Sequence, residues 1–250
     1  MHWQEKENAE KRMKNSMKKL QHKENGYVNL ILQCLLPVLI YYIIHNTAAV
    51  FGLSILQILK EKTMWEFATD SFWFYAETFV KMTAMALAGL AVYPYFQKEK
   101  AVKLPGELKA RDGILIIVTG SVLSIGINFL FSITGFMAGS DKYQQVAEVQ
   151  FALPLWLGCI FYGILSPVVE ELVFRGIAYN VLKRYVAEKM AMIGAALLFG
   201  AMHGNVVQMI YGTLMGMVLS IVYQKYQNLL APILLHGAAN VSVYALTYFF

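Results

Sequence analysis

Six polar side chains stand inside otherwise apolar runs in the last hundred residues: Glu170, Glu171, Arg175, His203, His236 and Asn240. A charge held in bilayer hydrocarbon costs on the order of 3 kcal/mol or more, so each is a functional candidate by default. Glu170 and Glu171 are neighbours, and on a helix of 3.6 residues per turn their side chains diverge by about 100°. They cannot share one task on one face. Glu171 and Arg175 lie four apart with the acid first, the favoured order for an ion pair, so Arg175 is expected to neutralise Glu171 and brace the helix. Glu170 is left free on the face of Phe174, the carboxylate suited to taking a proton as a general base. Phe199 and His203 lie one turn apart, and His236 and Asn240 share a face at the same spacing. Pro167, just before the acids, removes a backbone donor and predicts a kink there.

These groups sit on separate segments and must reach one depth to act together. At about 1.5 Å per residue from the basic ends near Lys183, Met190 and Leu229, Glu170 and His203 lie roughly 20 Å in and His236 roughly 10 Å in. All fall within a hydrocarbon core about 30 Å thick.

The elements that carry them follow from composition. The chain has 250 residues, 58% hydrophobic and 15% charged, where soluble domains carry about a quarter charged residues. Apolar windows predict helices over 27–50, 74–96, 113–136, 151–176, 190–204, 206–224 and 229–250. The stretch 52–73 is broken by Lys60, Glu61, Lys62 and Glu66, yet carries Trp65, Phe67, Phe72 and Trp73; it is ambiguous, an interfacial segment with room for an eighth helix, shallow or re-entrant. The fold class is thus an all-α polytopic membrane protein, seven to eight transmembrane helices in a bundle around an intramembrane polar cavity.

Lysine and arginine set the orientation. Residues 1–26 hold Lys6, Lys11, Arg12, Lys14, Lys18, Lys19 and Lys23, and the connection 97–112 holds Lys98, Lys100, Lys103, Lys109 and Arg111. Lys183, Arg184 and Lys189 follow in the next connection on that side, and Lys225 precedes the last span. The alternate connections carry only Lys60 and Lys62, then Lys142. The expected localisation is the cell membrane, multi-pass, with a cytosolic N-terminus. The first apolar run is too long for a signal h-region and reads as a signal anchor. The basic residues of 1–26 alternate with acids at helical spacing, so they make a solvated cytosolic segment, compatible with anionic lipid, and not a nucleic-acid site.

Other polar residues in the spans read as structural. Glu77 and Lys81 are spaced for an ion pair. His45 and Asn46 are expected at the interface, Asn128 as an interhelical hydrogen bond, and Cys34 and Cys159 as small apolar residues. Gly212 and Gly216 let helices approach closely in lipid. No internal repeat of the kind transporters carry is apparent.

The order Glu170-Glu171-x-x-x-Arg175, Phe199-x-x-x-His203, His236-x-x-x-Asn240 resembles the CPBP family: CAAX-type prenyl endopeptidases, their bacterial relatives and the Abi group linked to bacteriocin processing or self-immunity. The likeness divides the chain into a cytosolic segment 1–26, N-terminal transmembrane helices over 27–149, and a CPBP-type core over 150–250. It implies a bundle with a water-filled cavity opening to the cytosol, and an intramembrane endopeptidase acting on a membrane-associated or hydrophobic peptide. Glu170 would activate water and His203 help to hold it, with His236 and Asn240 stabilising the oxyanion. Glu171, Arg175 and Phe199 would be support. No cofactor is favoured. Zinc held by His203, His236 and Glu170 is the alternative, since two histidines and a glutamate suit a catalytic zinc, but the His-Glu-x-x-His pattern is lacking. The expected partners are membrane lipids and the peptide or protein substrate. Two other functions fit the same cavity: a non-catalytic bacteriocin-immunity or scaffold protein, and a proton-coupled transporter.

Overall fold

A computed structural model describes residues 26, 28–61, 70–99 and 108–249 of the chain. These form eight helices and no strand: α1 (Val28–Glu61), α2 (Asp70–Lys98), α3 (Ala110–Ile133), α4 (Asp141–Phe151), α5 (Leu155–Leu182), α6 (Glu188–Ala201), α7 (Val206–Tyr226) and α8 (Leu230–Phe249). Only helices satisfy every backbone donor within one segment, which is what apolar sequence in lipid requires. Phe51, Leu90, Ile114, Val122, Phe129, Ile133, Ile164 and Leu197 all point outward, as a lipid-facing surface demands.

The number of full spans is lower than expected. Six helices, α1, α2, α3, α5, α7 and α8, are long and apolar enough to cross. The segment expected as a span over 190–204 is α6, of 14 residues and about 21 Å; it crosses only part of the core. It stops at a turn whose Gly204 adopts φ 73°, a conformation open to glycine without cost. The ambiguous stretch 52–73 forms no separate helix where it is described. Residues 52–61 continue α1 and 70–73 open α2, while 62–69, with Trp65 and Phe67, lie outside the described residues, as do residues 1–25.

The second half of α5 is the axis of the bundle. Every residue from Val173 to Tyr179 is buried, with α1, α2, α6 and α7 packed around it. Such all-round burial suits a helix with no lipid face. Glycines bring the outer pairs close. A Cβ on Gly120 of α3 would strike the Leu235 carbonyl of α8, and one on Gly216 of α7 would lie 3.0 Å from the Ala196 Cα of α6. α3 and α8 are also tied by Ser242 donating to Ser121, Oγ to Oγ, at 2.8 Å.

α5 is not a regular α-helix. Phe161–Leu165 and Leu172–Tyr179 are π-helical, on either side of the α-helical turn Ser166–Glu171. Irregularities of this kind concentrate at functional sites, and here they bracket both glutamates.

Candidate active site

The two glutamates sit where α5 passes between α6, α7 and α8, and the structure separates them sharply. The Glu171 side chain is 0% exposed and that of Glu170 is 13% exposed. Glu171 Oε1 accepts from Arg175 Nη1 at 2.9 Å, the pairing expected from spacing. Arg175 also donates from Nη2 to the Gly216 carbonyl of α7 at 2.9 Å and stacks its guanidinium 4.8 Å over the Phe199 ring. So Gly216 does more than admit a neighbour: it presents the carbonyl that holds the arginine.

His236 stands between the two acids. Its Nδ1 lies 2.9 Å from Glu171 Oε1 and its Nε2 3.7 Å from Glu170 Oε2. A carboxylate can only accept, so His236 carries a proton on Nδ1 and turns its Nε2 edge towards Glu170. This changes the reading of Glu171. It braces Arg175, and it also orients a histidine. Glu170 is held from its other oxygen by Ser166, whose Oγ donates to Oε1 at 2.6 Å.

His203 at the end of α6 has Nδ1 3.0 Å from the Phe199 carbonyl one turn back. The carbonyl too can only accept, so Nε2 of His203 is free to accept a hydrogen bond. The ring rests on Gly212, where a Cβ would come within 3.2 Å of Cε1. Phe199 is the shared wall: the rings of His203 and His236 meet it edge-on, at 5.0 and 5.5 Å between centroids.

Asn240 is placed by a defect in α5. In the π-helical turn the Ser166 N–H bonds to Phe161 O, leaving Tyr162 O without its usual donor. The residue beyond is Pro167, which has no N–H. Asn240 Nδ2 fills the vacancy at 2.8 Å from Tyr162 O. Its second amide hydrogen remains for the cavity. Gly237, between His236 and Asn240, lets α8 approach this stretch so closely that a Cβ there would strike the Gly163 carbonyl.

Glu170, His203, His236 and Asn240 line one cavity of about 450 Å³. Glu171 and Arg175 lie behind its wall, fully buried, and among the described residues Glu171 Oε2 and Arg175 Nε have no hydrogen-bond partner. Several cavity residues escape a reading by apolar windows. Ser166 was legible only as the residue one turn before Glu170. Tyr41 and His45, stacked at 5.9 Å, line the cavity from α1. His45 and Asn46 were expected at the interface. They lie mid-helix because α1 runs on to Glu61, well past the end of its most apolar stretch. Lys81 also lines the cavity; among the described residues it makes no ion pair with Glu77, the partner expected from spacing. Asn128 faces the same cavity, donating to Ser124 O of its own helix at 2.9 Å and making the interhelical hydrogen bond expected of it, with the side chain of Tyr211 on α7.

The donors fit zinc poorly. His236 and Glu170 are adjacent, but a catalytic zinc takes three protein ligands. Among the described residues no three His, Cys, Asp or Glu side chains group closely enough to hold an ion.

Comparison with known proteins bears on the same region. Residues 152–242 match the family model described as "Type II CAAX prenyl endopeptidase Rce1-like". A Bacillus subtilis (strain 168) protein named "Putative membrane peptidase YdiL" is 27% identical over 140 residues, a match covering 48% of this chain and 57% of that relative. The chain therefore spans little more than half the length of the curated relative it matches. No solved structure matches it. The motifs and the matching family model coincide over residues 152–242, and that stretch is similar to the CAAX-type membrane endopeptidases of the CPBP family.

Proposed function

We propose that the chain is an intramembrane endopeptidase that hydrolyses a peptide bond in a membrane-associated or hydrophobic peptide or protein, with Glu170 activating water. The observation that carries this reading is the asymmetry of the glutamates. Glu171 is sealed against Arg175, while Glu170, with no arginine paired to it among the described residues, is open to a cavity that also holds His203, His236 and Asn240.

The mechanism needs no metal. Water sits between Glu170 and the free Nε2 of His203, and Glu170 takes its proton as the oxygen attacks the peptide carbonyl. Asn240, through its spare N–H, and His236, protonated at Nε2, meet the charge on the resulting oxyanion. As the carbon–nitrogen bond breaks, Glu170 passes its proton to the departing amine.

The test is cleavage of hydrophobic peptides by purified protein in lipid. Glu170→Ala should abolish it without loss of fold, and an undiminished rate would sink the proposal. Strong chelation should leave hydrolysis intact; loss restored by zinc would overturn the metal-free mechanism. If the chain is instead an immunity or scaffold protein, Glu170→Ala preserves protection.

A further inference from the structure

The cavity is closed at one end of the bundle and extends to the other. Its wall goes no further than Phe174 along α5, Met215 along α7 and His236 at the start of α8. Beyond these, Ile177, Tyr179, Leu219 and Tyr223 are packed at 0–1% exposure. In the other direction the wall continues through Phe131 at the end of α3, Met137, and Met202 and His203 in the turn between α6 and α7. α4 lies across this end. Its Tyr143, Ala147, Gln150 and Phe151 face the cavity, a spacing of one helical face, while Lys142, Gln144, Gln145 and Glu148 are exposed. No residue of α4 is fully buried, as expected of a helix resting at a membrane surface.

The mouth is at the wrong end for a cytosolic substrate. The closed end is where α2 finishes, α3 starts, α5 finishes and α7 finishes. It carries Lys98, Lys109, Arg111, Lys183, Arg184, Lys189 and Lys225, and the sequence that leads into α1 is basic as well. The sequence that links the helices at the mouth end carries only Lys60, Lys62 and Lys142. Positive charge marks the cytosolic side. The opening to the cytosol that the family resemblance implies is therefore reversed here.

We infer that the cavity is entered from the non-cytosolic face, and that its substrate is a hydrophobic peptide segment presented at the outer membrane surface beside α4. This rests on the peptidase reading for the chemistry, but not for the sidedness. A peptide left in the outer leaflet by an exported, membrane-anchored protein has the required chemistry: apolar enough for a lipid-level cavity, with its polar end in water.

Sidedness is tested by labelling whole cells with a membrane-impermeant maleimide. Glu148→Cys, on the exposed face of α4, should label in intact cells. Lys183→Cys should label at least tenfold less until the cells are permeabilised. The wild-type chain, with Cys34 buried, supplies the background. The reverse pattern overturns the inference. Should either variant fail to fold, a peptide tag fused after Phe250 answers the same question, because α8 ends at the mouth: protease added to intact cells should remove it, and full protection overturns the inference. Substrate entry is then tested with a quenched hydrophobic peptide bearing a sulfonated, impermeant dye. Cleavage lost in Glu170→Ala should be at least tenfold faster in right-side-out than in inverted vesicles, and the opposite ratio overturns the inference. No Glu170-dependent cleavage on either side or in detergent refutes the peptidase reading and the substrate with it, while the labelling still decides where the mouth lies.

Discussion

Replacing either of two adjacent glutamates should have opposite consequences. Glu171→Ala removes the acceptor of two hydrogen bonds, from Arg175 Nη1 and from His236 Nδ1, each at 2.9 Å. Arg175 then keeps one acceptor, Gly216 O, in a site with no access to water. Breaking a buried ion pair from one side costs about 3–5 kcal/mol, and two hydrogen bonds to a charged group, at about 1.5–3 kcal/mol each, give a similar figure. That is a large part of the roughly 5–15 kcal/mol that holds a typical domain folded. Glu170→Ala loses only the Ser166 bond at a partly open position, about 1 kcal/mol, yet should remove all activity. Unfolding in lipid nanodiscs or mixed micelles, followed by the fluorescence of Trp73 and Trp156, would measure both. Arg175→Met and the double variant Glu171→Ala/Arg175→Met complete a cycle whose coupling should be about 2 kcal/mol or more. A Glu171→Ala variant no less stable than Glu170→Ala, or losses at 171 and 175 that simply add, would refute this division of roles.

Three further outcomes follow from the geometry. Asn240→Ala should lower kcat about 10²–10³-fold by removing a donor to the oxyanion, read in single-turnover kinetics, and lower stability by about 1–3 kcal/mol by stranding Tyr162 O. Gly212→Ala puts a methyl within 3.3 Å of two atoms of His203; a ring displaced by about 1 Å should cost up to about 10²-fold in rate, whereas Gly126→Ala, which meets nothing within 4 Å, should change neither rate nor stability. Gly237→Ala forces α8 away from Gly163 O and should lower stability by about 1–3 kcal/mol, seen as a shift in the same unfolding curve.

Much of the candidate site was legible because a polar side chain in hydrocarbon has so few innocent reasons to be there. Glu170, His203, His236 and Asn240 stand out for that reason alone, and the i,i+4 rule assigns Arg175 to Glu171. What the sequence hides is contact across helices. Nothing in the spacing says that His236 reaches Glu171, 65 positions away, or that Asn240 answers a carbonyl stranded by Pro167. The π-helical turns have no compositional mark. Apolar windows also misjudge helix ends: α1 outlasts its window by a third of its length, which carries His45 from the expected interface to the cavity wall. The Glu77–Lys81 spacing permits a pair that the fold does not use, because Lys81 faces the cavity instead. α6 fell short of a span because a window counts apolar residues and does not foresee the glycine turn at Gly204.

The π-helical stretch Leu172–Tyr179 also bears on how this chain tolerates a change of length. Hydrogen bonds closed over five residues hold a surplus residue compared with an α-helix, and Asn180 steadies the stretch by donating to the carbonyls of Arg175 and Gly176 at 2.9 and 3.1 Å. Deleting one residue between 172 and 179 therefore gives the chain an easy refuge, relaxation to plain α-helix with its backbone bonds intact. The two halves of α5 would then turn about 100° against each other. With Arg184 still moored to Glu99 and Gln33, the rotation falls on the other half and swings Glu170 off the cavity wall. A deletion that most helices absorb at a loop would here put the chemistry out of phase with its anchor, leaving a folded protein whose acid faces the wrong way.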